Sequence, residues 1–320
     1  MSEQIQHAFE TARSGVVLTV AICTRNRVGF LEKAIASVLE QMMPCVELLI
    51  IDNASTDETP KYAQAVAAAN SIVRYLREEE LGLSAARNTA LKCALGTYVL
   101  FLDDDAVAKT GWVEKYLSFI TKHGKERIGC VGGPVFPAYE KEPPAWFAPN
   151  WNLLDYYGET RALAKESPWG GNSAFNKEAA ISIGAFNPKL GRRGNFSGAY
   201  EESDLIRRMR ESQWQIWWLA DAGIDHFIPA RRILFKALLR ERFDGGRSSA
   251  IIRLKGIPSA LGRNAYRALR ICGEPFQCLL NGLIACLAFL LGRKQRAAHM
   301  ALKFARSAGF SYQMLQIKKS

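Results

Sequence analysis

The chain has 320 residues, 48% hydrophobic and 23% charged, a balance that fits a folded globular protein and excludes wholesale disorder. Its net charge of +11 is unevenly placed, because residues 231–320 carry 18 Lys and Arg against 3 Asp and Glu, whereas residues 1–230 carry 24 against 28. The basic character belongs to the C-terminal stretch, and the seven scattered cysteines, odd in number and without a CxxC pair, favour a reducing cytosolic setting over a disulfide framework.

Residues 1–15 are polar, lack the apolar core of a signal peptide and read as an N-terminal extension. Strand-like and helix-like segments then alternate. "VVLTVAIC" (16–23) predicts a strand and the amphipathic "GFLEKAIASVLEQM" (29–42) a helix. "VELLIID" (46–52) is the next strand and "ETPKYAQAVAAA" (58–69) the next helix. A short "IVRYL" leads into the helix "SAARNTALKCAL" (84–95), and the strand "TYVLFLD" closes the series. This alternation predicts an α/β fold, a mostly parallel sheet with helices on both faces. Such sheets bind ligands beyond the carboxyl ends of their strands.

Those ends carry "TRNR" (24–27), "DNASTD" (52–57) and "DDD" (103–105), which should converge on one crevice. Ser55 to Glu58 also fits a helix capping box, S-x-x-E. The aspartate triplet is hardest to read as plain surface. Packed carboxylates at the tip of a buried strand repel one another and are costly when unpaired. Something positive must sit among them, either a basic cluster or a divalent cation held by oxygen ligands.

Residues 134–170 lose the alternation and are rich in Pro and aromatics, which predicts a functional loop. "WGGNSAFNKEAAISIGAF" (169–186) comes next, with Gly170 and Gly171 permitting close backbone approach. Glu201, Glu202 and Asp204 stand at the start of a helix, where the dipole favours anions. Trp214, Trp217 and Trp218 read as core of a strand-like run, and His226 lies just beyond it. After residue 230, "RRILFKALLRERFDGGRSSAIIRLKG" is basic and amphipathic, a membrane-surface pattern. The apolar "PFQCLLNGLIACLAFLL" (275–291) would reach about 26 Å as a helix, short for a span. Its helical spacing and basic flanks predict a helix lying in the cytoplasmic interface or packed on the preceding domain.

The ordered set "VAICTRNR", "ELLIIDNASTDET", "GLSAARNTAL", "YVLFLDDDAV", "WGGNSAFNKEAAISIGAFNPKLG" and "YEESDLIRR", with the downstream histidine, resembles the family-2 glycosyltransferases. The resemblance implies the Rossmann-like GT-A fold over residues 16–230, with a nucleotide-binding half (16–133) and an acceptor half (134–230), ahead of a basic helical tail (231–320). It implies inverting transfer of a sugar from a nucleoside-diphosphate donor to a hydroxyl acceptor, saccharide or lipid-linked, in cell-surface polysaccharide or glycolipid assembly. The enzyme would sit on the cytoplasmic face of the membrane. By motif position, Asp105, Asp103 and His226 would hold Mn²⁺ or Mg²⁺. Glu202 would be the base, with Glu201 as the fallback. Thr24, Asn26, Asp52, Arg87, Asp103 and Asp104 would contact the donor, and Trp169, Gly171 and Asn172 the acceptor. "NA" at 53–54 departs from the "DG" frequent in relatives and leaves the donor open. Two other readings compete. A metal-dependent nucleotidyltransferase would show a Gly-rich loop after the first strand, and "CTRNRVGF" has one glycine. A nucleic-acid-binding protein would explain the basic charge, but Leu, Ile and Ala between the tail's charges suit a membrane better, so no nucleic-acid partner is expected.

Overall fold

The computed structural model describes residues 15–148, 154–193, 196–255, 257 and 259–316. Expectations for the N-terminal extension before residue 15, and for positions 149–153 of the aromatic loop, lie outside the described residues.

The strands are β1 (Leu18–Thr24), β2 (Val46–Asp52), β3 (Val73–Arg77), β4 (Tyr98–Asp103), β5 (Ala106–Ala108), β6 (Ile128–Gly132), β7 (Val135–Tyr139), β8 (Arg161–Ala162), β9 (Asn172–Asn176), β10 (Arg192–Arg193), β11 (Phe196–Ser197), β12 (Gln215–Trp218) and β13 (Ile224–Ile228). The helices are α1 (Val28–Leu39), α2 (Thr59–Ala69), α3 (Leu83–Cys93), α4 (Trp112–Lys122), α5 (Lys177–Ser182), α6 (Glu201–Glu211), α7 (Phe235–Lys255), α8 (Ala260–Leu290) and α9 (Lys294–Gln316). The main sheet runs β3-β2-β1-β4-β9-β6-β12-β8, and β5, β13 and β7 form a second, three-stranded sheet. β9 enters the main sheet antiparallel to both β4 and β6, and β8 antiparallel to β12; the other pairs are parallel.

Alternation along the strands explains the layers. Val20 and Ile22, with Leu48, Ile50, Leu100 and Leu102, face a cluster completed by α1, α2 and α4. Their neighbours Ala21, Leu49, Ile51, Val99 and Phe101 face a second cluster completed by α3, α5 and α6. A strand buried on both faces reads as a continuous apolar run, which is why the sequence marks β1, β2 and β4 so plainly. The capping box expected at Ser55 and Glu58 does not form. The α2 helix starts at Thr59, whose N–H donates to Asp57 Oδ1 at 3.0 Å, while the Ser55 hydroxyl accepts from the Asn26 N–H at 2.9 Å. Ser55 is tied back to the sheet by donating its own N–H to Asp52 Oδ1 at 3.0 Å.

The described residues of Met1–Ala138, Asn152–Lys189 and Glu201–Phe227 form one compact unit, and those of Tyr139–Trp151, Leu190–Tyr200 and Ile228–Ser320 a second. The first holds both layers of the main sheet. The second holds α7, α8 and α9, with cores around Phe147, Ile233 and Leu238 and around Leu254, Phe310 and Met314. The apolar segment 275–291 is part of a longer helix than its composition marks: α8 has 31 residues and runs through Pro275.

Candidate active site

Strand register decides which polar ends meet. Thr24 pairs with Asp52 across β1 and β2, Cys23 with Asp103 across β1 and β4, and Asp52 with Arg77 across β2 and β3. These strands are parallel, so the loops after β1, β2 and β4 emerge at one edge. The reversed β9 brings Asn172 opposite Leu102 at that same edge. β13, antiparallel to β5, brings His226 opposite Ala106, next to the aspartate triplet.

A basic cluster sits among the aspartates. Arg27 Nη1 lies 2.8 Å from both Asp104 Oδ1 and Asp105 Oδ2. The Thr24 hydroxyl donates to Asp104 Oδ2 at 2.8 Å, and His226 Nε2 lies 3.1 Å from Asp105 Oδ1. On the other side, the buried Arg87 places Nη2 3.2 Å from Asp103 Oδ1 and Nη1 2.9 Å from Glu201 Oε1. Its guanidinium lies 5.5 and 5.6 Å from the Phe101 and Phe186 ring centres, which hold it in place. These partners split the carboxylates electrostatically. Burial pushes Asp104 up to about 6 against the opposing charge of Arg27. Burial also acts to raise Asp105, but the His226 hydrogen bond and charge, followed by Arg27, hold it well below the usual carboxylate range.

Asp103, Asp105 and His226 each bring one ligand atom within 4.8 Å of the others. Two carboxylate oxygens and one imidazole nitrogen make a donor set that fits a divalent cation such as Mn²⁺. The Asp103 side chain is 23% exposed, so the set is open to solvent on that side. Gly170 and Gly171 make room for this arrangement. A Cβ at 171 would stand 2.6 Å from the Asp103 carboxyl carbon, and one at 170 would stand 2.5 Å from Arg87 Nη1.

Glu201 and Glu202 open α6. Glu201 is buried, and its Oε2 has no hydrogen-bond partner among the described residues. Glu202 is half-buried and accepts from the Ser203 hydroxyl at 3.2 Å. Burial, and next the neighbouring Glu201 charge, raise its carboxyl to about 8, so it holds its proton at neutral pH and can accept one once pH passes that value.

Several expected contacts are placed differently. Asn172 is fully enclosed, and its amide is saturated: Oδ1 accepts from Trp112 Nε1 at 2.8 Å and the Tyr116 hydroxyl at 3.0 Å, while Nδ2 donates to the Pro134 and Ala222 carbonyls at 2.9 and 2.8 Å. All four hydrogen-bonding positions are used, so this side chain has none left for an acceptor. Gly171, expected at the acceptor, lies against Asp103. Asp104 and Thr24 satisfy each other in the interior, where the donor-facing role expected of them has little exposed surface. Asp52 is fully enclosed and accepts from Ser55 N–H, the Tyr75 hydroxyl and Arg77 Nη1, each at 3.0 Å. Asn26 is exposed, left-handed at φ 53°, and accepts from the Thr56 N–H at 2.7 Å. Ala54 is left-handed too, at φ 53°, which explains why glycine suits that position. Trp169 is half-buried and meets His226 edge-on, with ring centres 4.6 Å apart at 78°. Arg27 is the residue that sequence reasoning passed over. Its signal was the unpaired charge of the triplet together with "TRNR" (24–27), a basic cluster expected at the same crevice.

A mostly parallel α/β sheet with an acid cluster and an Asp-Asp-His trio that could hold a cation at its strand ends is the architecture of a GT-A sugar-nucleotide transferase. Residues 19–184, more than half of the chain, match the model of Glycosyl transferase family 2, and the chain belongs to that family of glycosyltransferases. The glucosyl-dolichyl phosphate glucuronosyltransferase of Haloferax volcanii is 23% identical over 257 residues, 78% of this chain and 81% of that protein. The minor teichoic acid biosynthesis protein GgaB of Bacillus subtilis is 34% identical over 143 residues, 43% of this chain but 15% of that protein. Among solved structures, the mannosyltransferase PcManGT of Pyrobaculum calidifontis, in complex with GDP-Man and Mn²⁺, aligns over 97% of this chain and 93% of its own, with a TM-score of 0.60 and 17% identity. GalNAc-T7 with UDP, GalNAc and Mn²⁺ aligns over 67% of this chain and 43% of its own, with a TM-score of 0.52 and 16% identity.

Proposed function

We propose that the chain transfers a sugar, with inversion, from a nucleoside-diphosphate donor to a hydroxyl of a lipid-linked acceptor at the cytoplasmic face of a membrane. The observation that carries this is the grouping of Asp103, Asp105 and His226, whose ligand atoms lie within 4.8 Å of one another, together with a carboxyl raised to about 8 at Glu202. A divalent cation bound there supplies Lewis-acid neutralisation of the charge that develops on the departing diphosphate. Arg27 and Arg87 hold the aspartates in place and offset part of their negative charge. Glu202 takes the proton from the acceptor hydroxyl during attack, and Trp169 offers an apolar face to a sugar ring. The nucleobase and ribose lie near Asn26 and the Asp52 loop. The lipid-linked acceptor draws support from the glucosyl-dolichyl phosphate substrate in the name of the Haloferax relative. The glycine-poor loop after β1 disfavours nucleotidyl transfer.

The test is incubation of purified protein with a panel of radiolabelled nucleotide sugars, Mn²⁺ and a membrane lipid extract. Label should pass to the organic phase with one donor, and chelation should stop it. Label transferred equally with and without chelator, or none with any donor, would overturn the assignment.

A further inference from the structure

The second compact unit contains a helix whose polarity is inside out. In α8, Arg270, Glu274, Gln277 and Asn281 keep helical spacing along one stripe. Arg270 pairs with Glu274, and Gln277 Nε2 donates to Asn281 Oδ1 at 3.4 Å. This side is turned to α9: Arg267 Nε donates to the Met314 carbonyl at 2.8 Å, and the Arg270 guanidinium lies 5.0 Å from the Phe310 ring centre. Glu274 and Asn281 are buried at 7% and 4% exposure. The opposite stripe is apolar and bare. Leu269, Phe276, Leu279, Leu283, Leu287 and Leu290 are between 57% and 80% exposed. A helix packed in water does the reverse, burying its apolar stripe and exposing its charges. Contiguous apolar surface of this kind marks a binding face.

Charge decides what covers it. Residues 275–291 carry no Asp, Glu, Lys or Arg, while Arg263, Arg267 and Arg270 precede them and Arg293, Lys294 and Arg296 come after. A second copy of the chain, packed through this stripe about a two-fold axis, would bring like charges together at both ends. An anionic bilayer meets both requirements, with acyl chains for the stripe and acidic headgroups for the exposed Arg293, Lys294 and Arg296. We propose that the outward face of α8, from Leu269 to Leu290, is a lipid-contacting surface seated in the apolar layer of an anionic membrane. This deepens the membrane part of the proposed function and names the residues that carry it.

The full chain is mixed with phosphatidylcholine vesicles with and without phosphatidylglycerol, at low and high salt, and sedimented. Wild type should bind the anionic vesicles and keep part of that binding in high salt, because only the electrostatic part is screened. Leu279→Ser/Leu283→Ser/Leu287→Ser should weaken salt-resistant binding by about tenfold or more. Its melting temperature and its response to Mn²⁺ with UDP should stay at wild-type values, since the three side chains pack against no core. Arg293→Glu/Lys294→Glu/Arg296→Glu, which leaves the stripe intact, should reduce binding to anionic vesicles only. Undiminished binding by both variants would overturn the inference. So would a wild-type dimer in vesicle-free solution that the triple serine variant dissociates, which would assign the stripe to a second copy. A Mn²⁺-dependent response to neither UDP nor GDP would count against the glycosyltransferase site and leaves the vesicle result untouched, so the two readings fail separately.

Discussion

At the scale of the residue, the site is a set of charges whose partners fix their states. Glu202 has a carboxyl raised from 4.5 to about 8, first by burial and then by Glu201. A base must be deprotonated to act, so turnover should rise as pH passes through about 8. Glu202→Gln should lower turnover roughly 10²–10⁴-fold with donor affinity little changed. The same shift sets the sign for stability. The folded value lies above the unfolded one, so the stability that Glu202 contributes is present below pH 4.5 and is lost as pH rises through about 8. Glu202→Gln should therefore melt higher than wild type in alkaline buffer and equally with it in acid. A melting difference of the opposite sign in alkali would remove the buried carboxylate from the account. Arg27 is the counterpart. Arg27→Met leaves two nearly buried aspartates without their shared cation, and the variant should melt lower. Added Mn²⁺ should raise its melting temperature more than that of wild type, because a cation then meets carboxylates that have lost their own. An equal Mn²⁺ shift in both proteins would separate Arg27 from the cation site.

At the scale of the element, the turn from Trp169 into β9 does two jobs. Its glycines admit Arg87 and Asp103, and its asparagine ties β9 to α4. These roles separate experimentally. In Gly171→Ala the new methyl meets the end of a side chain, so the fold should survive while Asp103 is displaced. Calorimetry should find the Mn²⁺-dependent binding of UDP lost at a melting temperature near wild type. Asn172→Ala strands the buried Trp112 indole N–H and the Ala222 carbonyl, each costing roughly 1–3 kcal/mol when unsatisfied, while the Tyr116 hydroxyl keeps the residue 172 backbone carbonyl and the Pro134 carbonyl keeps the Ile224 N–H. Urea unfolding should then report a loss of about 3 kcal/mol or more, the pattern of a framework residue. A stable Asn172→Ala protein with weakened acceptor use alone would restore the acceptor contact expected from sequence.

At the scale of the whole molecule, charge divides the chain, with net −4 over residues 1–230 and +15 over 231–320. Binding of UDP with Mn²⁺ in solution should change little with salt, while transfer to an acceptor in anionic vesicles should fall as salt screens the basic stretch. Parallel loss of both would tie the salt effect to the site instead. The sequence by itself determined the α/β alternation, because β1, β2 and β4 are buried on both faces and α1 and α3 on one. It also determined that the ends of those strands carry the polar clusters, since chain order alone sets which residues leave each strand. It did not determine which side chains are free. Asn172, Asp52 and Asp104 read as site residues from motif position, yet they are buried and bonded by residues far along the chain. Nor did it single out Arg27 as what answers the aspartate triplet, because Arg27 reaches it only through the pairing of β1 with β4. The inside-out polarity of α8 likewise needed its partner, α9: helical spacing separates two stripes, and only packing says which one faces in.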